Sequence, residues 1–343
     1  MSNRIPETIR ALELRSYEHD SLHASLTLVE KPCPRPGKAE VLVRITAAPV
    51  NPSDLMFLRG LYGVRRPLPT IPGFEGSGTV VAAGGGLWAR ALLGRRVACG
   101  VAGSGDGTWS EYTVVPVTTC FPLGKHTSNF QGAMMLVNPM TAWALVDGAQ
   151  RGGHRAFVQT AAAGALGGMI RRLAGQFDLP VINVVRHAAQ IEELRAQGTT
   201  YVLNSSASEF DQQLRELCHQ LGATLALDAV AGELPDRLLS AMPRGARVTV
   251  YGALSGEPAP IDPRALIFRQ QQVDGFWLTD WLKQQSLLEQ LRAGSMVQRL
   301  LRNELKTIVR AALPLADALR GIDLYTENMS AGKVLLVPGL RKR

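Results

Sequence analysis

Cysteine is sparse. The 343 residues hold four, Cys33, Cys99, Cys120 and Cys218, scattered singly and without a C-x-x-C pair. That excludes a disulfide framework and a four-thiolate zinc site, and leaves the thiols as packing residues. The N-terminal stretch from Met1 to Glu13 has no continuous apolar run, because Arg4, Glu7 and Arg10 interrupt it. Neither a secretory signal nor a membrane anchor is readable there, so a soluble cytoplasmic protein is expected, or one of an organelle matrix if the source is eukaryotic. Repeats and low-complexity tracts are absent too. So are an aromatic strand pair, a GXXG clamp and an Arg-rich tail, and the basic residues are dispersed, which argues against nucleic acid as a partner. The formal net charge of +8 otherwise leaves open an anionic cofactor or a solubilising surface.

What is present is ordinary globular usage, 46% hydrophobic and 19% charged, in a chain longer than one core usually organises. Two domains are therefore expected. In the first 130 or so residues, Val41 to Ala47, Gly76 to Ala82, Arg95 to Gly100 and Trp109 to Val115 read as short strands between Pro and Gly punctuation. After about Gln131 the texture changes. Strand candidates Ala156 to Thr160, Val181 to Val185, Tyr201 to Leu203, Leu225 to Leu227 and Arg247 to Tyr251 alternate with helix candidates Gly167 to Phe177, Ala189 to Gln197, Ser208 to Gln220 and Leu234 to Met242. Such alternation implies a doubly wound parallel sheet. The tail from Thr307, with a capped helix at Pro314 to Leu319 and a strand at Lys333 to Val337, is expected to return to the first domain, with a ligand cleft between the two.

A nucleotide site of the Rossmann kind needs a strand, a small-residue turn and a helix whose N–H groups face phosphate. Phe157 to Thr160 supplies the strand. Ala162, Gly164 and Gly167 take the three small positions, with Ala165 and Leu166 between them, and Ala stands in the place of the first glycine. The next strand ends at Arg186, where an NAD enzyme carries an acidic residue for the ribose hydroxyls. A cation there suits a 2′-phosphate, so NADPH is the expected cofactor.

Several separated segments make the chain resemble the medium-chain dehydrogenase/reductase superfamily: Asn51-Pro52-Ser53-Asp54, Gly73-Phe74-Glu75-Gly76, Asn138-Pro139-Met140-Thr141, the Ala-rich loop, Asp228-Ala229-Val230-Ala231-Gly232 and Gly332-Lys333-Val334-Leu335-Leu336. The resemblance implies an α/β fold made of a GroES-like β-rich catalytic domain, residues 1–133 and 307–343, and a doubly wound Rossmann cofactor domain, residues 134–306. The superfamily's zinc enzymes place a Cys before the Asp and a His before the Glu. Asn51 and Phe74 stand at those places and are not zinc ligands, so no metal is expected, and Glu75 is expected to be a structural carboxylate. Within the zinc-free branch the chain is similar to mitochondrial-type trans-2-enoyl thioester reductases in Gly60-Leu61-Tyr62-Gly63, Asn138 to Ala142, Ile182 to Arg186, and Leu266-Ile267-Phe268 followed by Gly275 to Leu278. It is similar to NADPH quinone oxidoreductases in Ala161 to Gly164, although Ser205 stands where that family commonly has a phosphate-contacting Tyr. The enoyl reductase side is favoured, with quinone or enone reduction the alternative and an NADPH-binding protein of little turnover a third.

The resemblance makes Tyr62 the proton donor or carbonyl polariser for an enoyl substrate. Asn51 is expected either to hydrogen-bond substrate or nicotinamide ribose or to form a turn before Pro52. Asn138 and Thr141 begin the domain-connecting helix beside the expected nicotinamide, and Gly252, Ala253 and Leu254 offer it backbone. Phe276, Trp277 and Leu278 are expected to line an acyl pocket or to form a dimer's edge strand, since Leu266 to Phe268 and Val273 to Leu278 look strand-like. Lys333 is a candidate for a cofactor phosphate, and Arg59, Arg65 and Arg66 bracket Tyr62 as a candidate site for the phosphates of coenzyme A or an acidic carrier protein. A homodimer and a carrier-bound or small-molecule substrate follow, with no membrane partner.

Overall fold

The computed structural model describes residues 5–17, 22–101, 103 and 105–340. Residues 1–4, Arg4 among them, lie outside the described ones. The chain divides into two compact units, Met1–Pro139 with Gly294–Arg343, and Met140–Ala293. The first junction falls six residues later than the sequence boundary at 133/134, inside the helix Asn138–Arg151, and the second falls earlier than 306/307, inside the helix Leu287–Leu300.

The first unit is built on a seven-stranded sheet, in the order Val309–Leu313, Lys333–Leu336, Glu40–Pro49, Glu75–Ala83, Arg96–Gly100 and Cys120–Pro122, with Tyr112–Pro116 also pairing Glu40–Pro49. The Val- and Ile-rich run Val41 to Ile45 alternates little because the strand is covered on both faces, and Val41, Leu42 and Val43 are all buried. The chain's last strand enters this sheet beside the first part of the chain, with Leu335 opposite Pro49 and Leu336 opposite Ala48. Trp109 lies just outside the strand expected for Trp109 to Val115. It is wholly buried, and its indole Nε1 donates to the Pro49 carbonyl at 3.1 Å. The ring fills the core instead of the ladder.

The second unit carries six parallel strands in the order Val202–Asn204, Val181–Val185, Phe157–Gln159, Leu225–Asp228, Arg247–Val250 and Gln272–Gly275. Numbered along the chain this is 3-2-1-4-5-6, the doubly wound nucleotide-binding order. The run Val181–Val185, β-branched but for Asn183, is buried throughout, as a sheet covered by helices on both faces requires. The order reverses between Phe157–Gln159 and Leu225–Asp228, and ligands of such sheets bind outside the carboxyl ends of the strands at that point.

One expectation is corrected here. Leu266, Ile267 and Phe268 do not form a strand; they lie in the helix Pro263–Arg269. Asp262 caps it by accepting the Arg264 N–H at 2.9 Å, and Pro263 stands at its first position, so the local start signal overrides the β propensity of the apolar run. The edge strand is Gln272–Gly275 and stops before Phe276, while Leu278 opens the helix Leu278–Gln284.

Candidate active site

In the first unit the motif Asn51-Pro52-Ser53-Asp54 opens the short helix Pro52–Leu58. Asn51 is the N-cap, Pro52 fills a position whose N–H has no helical partner, and Asp54 reaches back to accept the Asn51 N–H at 2.8 Å. The other Asp54 oxygen accepts the Phe74 N–H at 3.1 Å. At the far end Gly60, with φ 69°, closes the helix: its N–H bonds the Phe57 carbonyl and that of Leu61 bonds the Met56 carbonyl, both at 2.9 Å. This is a Schellman closure, and it delivers the chain to Tyr62 two residues later.

The Asn51 side chain is 1% exposed and occupied at both ends. Its Nδ2 donates to Glu75 Oε1 at 2.9 Å, while its Oδ1 accepts from Lys333 Nζ. A carboxylate on one side and an ammonium on the other leave the amide only one orientation. Asn51 is therefore a bridge inside the unit, which corrects its assignment as a partner of substrate or ribose. Lys333 is corrected too. It is 2% exposed, and its Nζ also reaches Tyr325 Oη at 3.1 Å and the Val50 carbonyl at 3.4 Å, so its hydrogen-bonding capacity is spent in the core and not on a cofactor phosphate. Glu75 has the structural part expected of it: Oε2 accepts the N–H groups of Leu136 and Val137 at 2.8 and 2.9 Å, immediately before Asn138.

Burial dominates the ionisation of this cluster. It pushes the Lys333 ammonium down to about 8, against the pull of Glu75 and Asp54. It pushes the Asp54 carboxyl up to about 7 and raises that of Glu75, both against hydrogen bonds that favour the anion.

Tyr62 is half-buried, and its ring lies 4.6 Å from that of Phe74 at an interplanar angle of 41°. Phe74 also meets Phe57 edge-on at 5.5 Å. Of the three arginines around Tyr62, Arg59 is half-buried and Arg65 exposed, but Arg66 is 3% exposed. Burial removes Arg66 from any surface site for a carrier's phosphates, and this corrects its grouping with the other two.

In the second unit the phosphate loop has the geometry its spelling suggests. Gly164 is the N-cap of the eleven-residue helix Ala165–Gly175 and offers no side-chain cap, so the first N–H groups of that helix, on Ala165, Leu166 and Gly167, keep the exposure to an anion that a Ser or Asp cap would remove. A Cβ at Gly167 would stand 2.6 Å from the Ala162 carbonyl oxygen, so the third small position is obligatory. At the sheet's reversal point Thr160 Oγ1 donates to Asp228 Oδ1 at 2.7 Å, and the Asp228 carboxylate also accepts the Val230 and Ala231 N–H groups at 3.2 and 2.7 Å. Asp228 is thus a clamp between the loops that follow two strands. Arg186 is exposed directly after Val181–Val185. Gly252 follows Arg247–Val250, with Ala253 and Leu254 exposed beyond it. Phe276, Trp277 and Leu278 are half-buried; Asn138 is half-buried and Thr141 buried in the helix they begin. The loop, the uncapped helix and the cation fit a nicotinamide dinucleotide carrying an extra phosphate. A zinc ion does not fit: Asn51 and Phe74 supply no anionic or imidazole donor, and among the described residues no group of three His, Cys, Asp or Glu side chains converges.

A Rossmann-ordered sheet together with a separate β unit is an architecture suited to a nucleotide-dependent enzyme, and the comparisons with known proteins give the class, an oxidoreductase. Residues 37–125 match the alcohol dehydrogenase GroES-like domain and residues 165–293 the zinc-binding dehydrogenase family. The chain belongs to the medium-chain dehydrogenase/reductase superfamily. It is 30% identical to the human mitochondrial enoyl-[acyl-carrier-protein] reductase over 72% of this chain and 67% of that one. With a Caenorhabditis elegans protein of the same description it shares 28% identity over 96% and 97%. Among solved structures it is similar to a candidate NADPH:quinone reductase from Mesorhizobium loti, with a TM-score of 0.90 and 34% identity over 98% and 100% of the two chains. The quinone oxidoreductase of Thermus thermophilus aligns with a TM-score of 0.77 and 27% identity over 96% and 99%.

Removing Lys333 tests the buried cluster. Lys333→Met is expected to cost about 1–3 kcal/mol in chemical unfolding at neutral pH, because it leaves the buried Asn51 Oδ1 and Tyr325 hydroxyl without the nitrogen that Lys333 offers in either protonation state. Since the folded-state value of about 8 lies below the free lysine's 10.5, the penalty of the buried ammonium is full below about 8 and fades as pH rises. This group therefore adds stability between about pH 8 and 10, a rise that Lys333→Met is expected to lack; parallel pH curves for the two proteins would contradict it. At the loop, Gly167→Ala is expected to weaken NADPH binding about tenfold or more, measured by cofactor fluorescence, because the added methyl forces the turn off the helix start.

Proposed function

We propose that this protein uses NADPH to reduce the C=C bond of 2-enoyl thioesters, with hydride delivered to the β carbon and a proton from Tyr62 to the α carbon. The observation that carries the reading is the Tyr62 phenol, held half-buried against Phe74 on a turn that the Asn51-capped helix delivers. The likeness to enoyl-[acyl-carrier-protein] reductases supports it. NADPH supplies the hydride when bound. The chain's own part is to place phosphate on the helix that starts at Ala165, to meet the extra phosphate with Arg186, to polarise the thioester carbonyl as enolate character develops, and to replace the phenol's proton from solvent after each turnover. Arg59 and Arg65 remain for an anionic carrier, coenzyme A or an acidic protein.

A second reading, NADPH-dependent quinone or enone reduction, is favoured by the structural likeness to the Mesorhizobium loti and Thermus thermophilus proteins. A homodimer formed through the edge strand Gln272–Gly275 is also proposed. All four of its residues are exposed, and beside it in sequence Ile267 and Phe268 are 66% and 69% exposed on the preceding helix. Among the described residues no helix is long and apolar enough to cross a membrane.

Three measurements test the reading. A screen of crotonyl-CoA, longer 2-enoyl-CoA and quinones is expected to show faster NADPH oxidation with an enoyl thioester, and Tyr62→Phe to lower kcat about a hundredfold while KM stays within about threefold. Turnover with quinones alone would contradict the first choice, and full activity in Tyr62→Phe would remove the phenol's role. Arg186→Ala is expected to raise KM for NADPH about tenfold or more and to leave KM for NADH unchanged; equal effects on both would detach Arg186 from the 2′-phosphate.

A further inference from the structure

Arg66 is sunk into an aromatic cage in the first unit. Its Cζ lies 5.0 Å from the centre of the Phe57 ring and 5.4 Å from that of Phe74, the ring against which Tyr62 rests. Its backbone is fixed at both ends by one hydroxyl: Tyr17 Oη accepts the Arg66 N–H at 2.8 Å and donates to the Arg66 carbonyl at 2.9 Å. The guanidinium donates from Nε to the Gly103 carbonyl at 2.8 Å and from Nη1 to that of Ile71 at 3.2 Å. Nη2 is buried without a hydrogen-bond partner among the described residues.

Such an arrangement is costly. A cation out of water is normally paired with a carboxylate, and leaving a guanidinium nitrogen unsatisfied adds to the penalty. Among the described residues Arg66 meets only neutral carbonyls and ring faces, so no direct ion pair cancels its charge there, and its field reaches the surrounding groups through protein instead of water. The charged or titratable groups near enough to interact with it include Asp54 on the helix Pro52–Leu58, Tyr17, Asp106 and Tyr62. Arg65, on the same turn, faces outward with its own guanidinium 5.5 Å from the Tyr17 ring.

We infer that Arg66 is a positioning residue for the reaction at Tyr62: its charge, held behind Phe74, stabilises the phenolate that Tyr62 becomes when it gives its proton to the substrate's α carbon. The inference rests on the proposed proton-donor role of Tyr62. The O–H bond of the phenol breaks, its proton forms the new C–H bond, and the electron pair stays on the phenolate oxygen until solvent returns a proton. Arg66 does not touch substrate and transfers nothing; it lowers the cost of the charged intermediate state of the side chain.

The test needs no substrate, so its failure is distinct from a failure of the enoyl thioester reading. Tyrosinate absorbance is titrated in the purified full chain, in Tyr62→Phe to assign the phenol, and in Arg66→Met and Arg66→Gln. Gln is included because it can keep one of the carbonyl contacts if the apolar replacement does not fold. The transition missing in Tyr62→Phe is expected to move up by about one pH unit or more in either Arg66 variant and by much less in Arg66→Lys, which keeps the charge. If an enoyl thioester is turned over, kcat at fixed pH is expected to fall several-fold with KM nearly unchanged. A Tyr62 transition at the same pH in a folded neutral variant would overturn the inference and leave Arg66 as a packing residue.

Discussion

The first unit depends on a chain of three buried side chains, Lys333, Asn51 and Glu75. Lys333 belongs to the last strand of the protein, Asn51 to the start of the helix Pro52–Leu58, and Glu75 to the strand Glu75–Ala83. Through the Glu75 carboxylate the chain extends to the backbone of Leu136 and Val137. Segments 282 positions apart are thus locked by a hydrogen-bonded chain in which an amide stands between the ammonium and the carboxylate. A neutral bridge satisfies the carboxylate and the ammonium without demanding that they touch, and the Tyr325 hydroxyl takes up a further hydrogen of the ammonium. Removing any one member leaves a buried charge or polar group without its partner, which is why such clusters hold geometry even where their net contribution to stability is small.

The site follows from that constraint. Asp54 ties the same helix to the Phe74 backbone, Phe74 precedes Glu75, and the Tyr62 ring packs on Phe74. The place at which zinc enzymes of the superfamily hold a His is therefore taken by a ring that supports the phenol on one side and neighbours the Arg66 cation. An amide and an aromatic ring stand in place of two metal ligands, and in the proposed reaction the polarising role passes from a Lewis acid to the Tyr62 phenol. In the other unit the place proposed for the hydride carrier is set by simpler means: a parallel sheet in 3-2-1-4-5-6 order, an uncapped helix N-terminus, and a glycine whose replacement would press a Cβ against the Ala162 backbone.

Much of the fold was readable because its signals are local. The five strands of the Rossmann half from Phe157 to Val250 and the helices between them lie within a few residues of their expected places, since each is a short apolar run or an amphipathic stretch bounded by turn residues. Leu266 to Phe268 misled, because three apolar residues after Asp-Pro satisfy a strand pattern as well as a capped helix, and the cap decides. In the candidate site, the strand, small-residue turn and helix around Ala162 to Gly167 were legible from the motif, while the role proposed for Tyr62 rests on the resemblance. The buried cluster was not legible. A Lys before Val-Leu-Leu reads as solvated or as a phosphate ligand until the strand is placed beside Val50 and Asn51, and no spacing in the chain announces a contact between residues 51 and 333. Arg66 escaped for the same reason: three arginines in one loop look alike until one of them turns inward.

The central claim is that two reducing equivalents reach an activated alkene as a hydride from NADPH and a proton by way of Tyr62. The most direct measurement is the position of label in the product when a 2-enoyl thioester is reduced with NADPH carrying deuterium at the transferable position, and again with unlabelled NADPH in deuterated water. The account predicts one deuterium on the β carbon in the first case and one on the α carbon in the second. Label on the α carbon from the cofactor, or a saturated product free of cofactor-derived label, would contradict it.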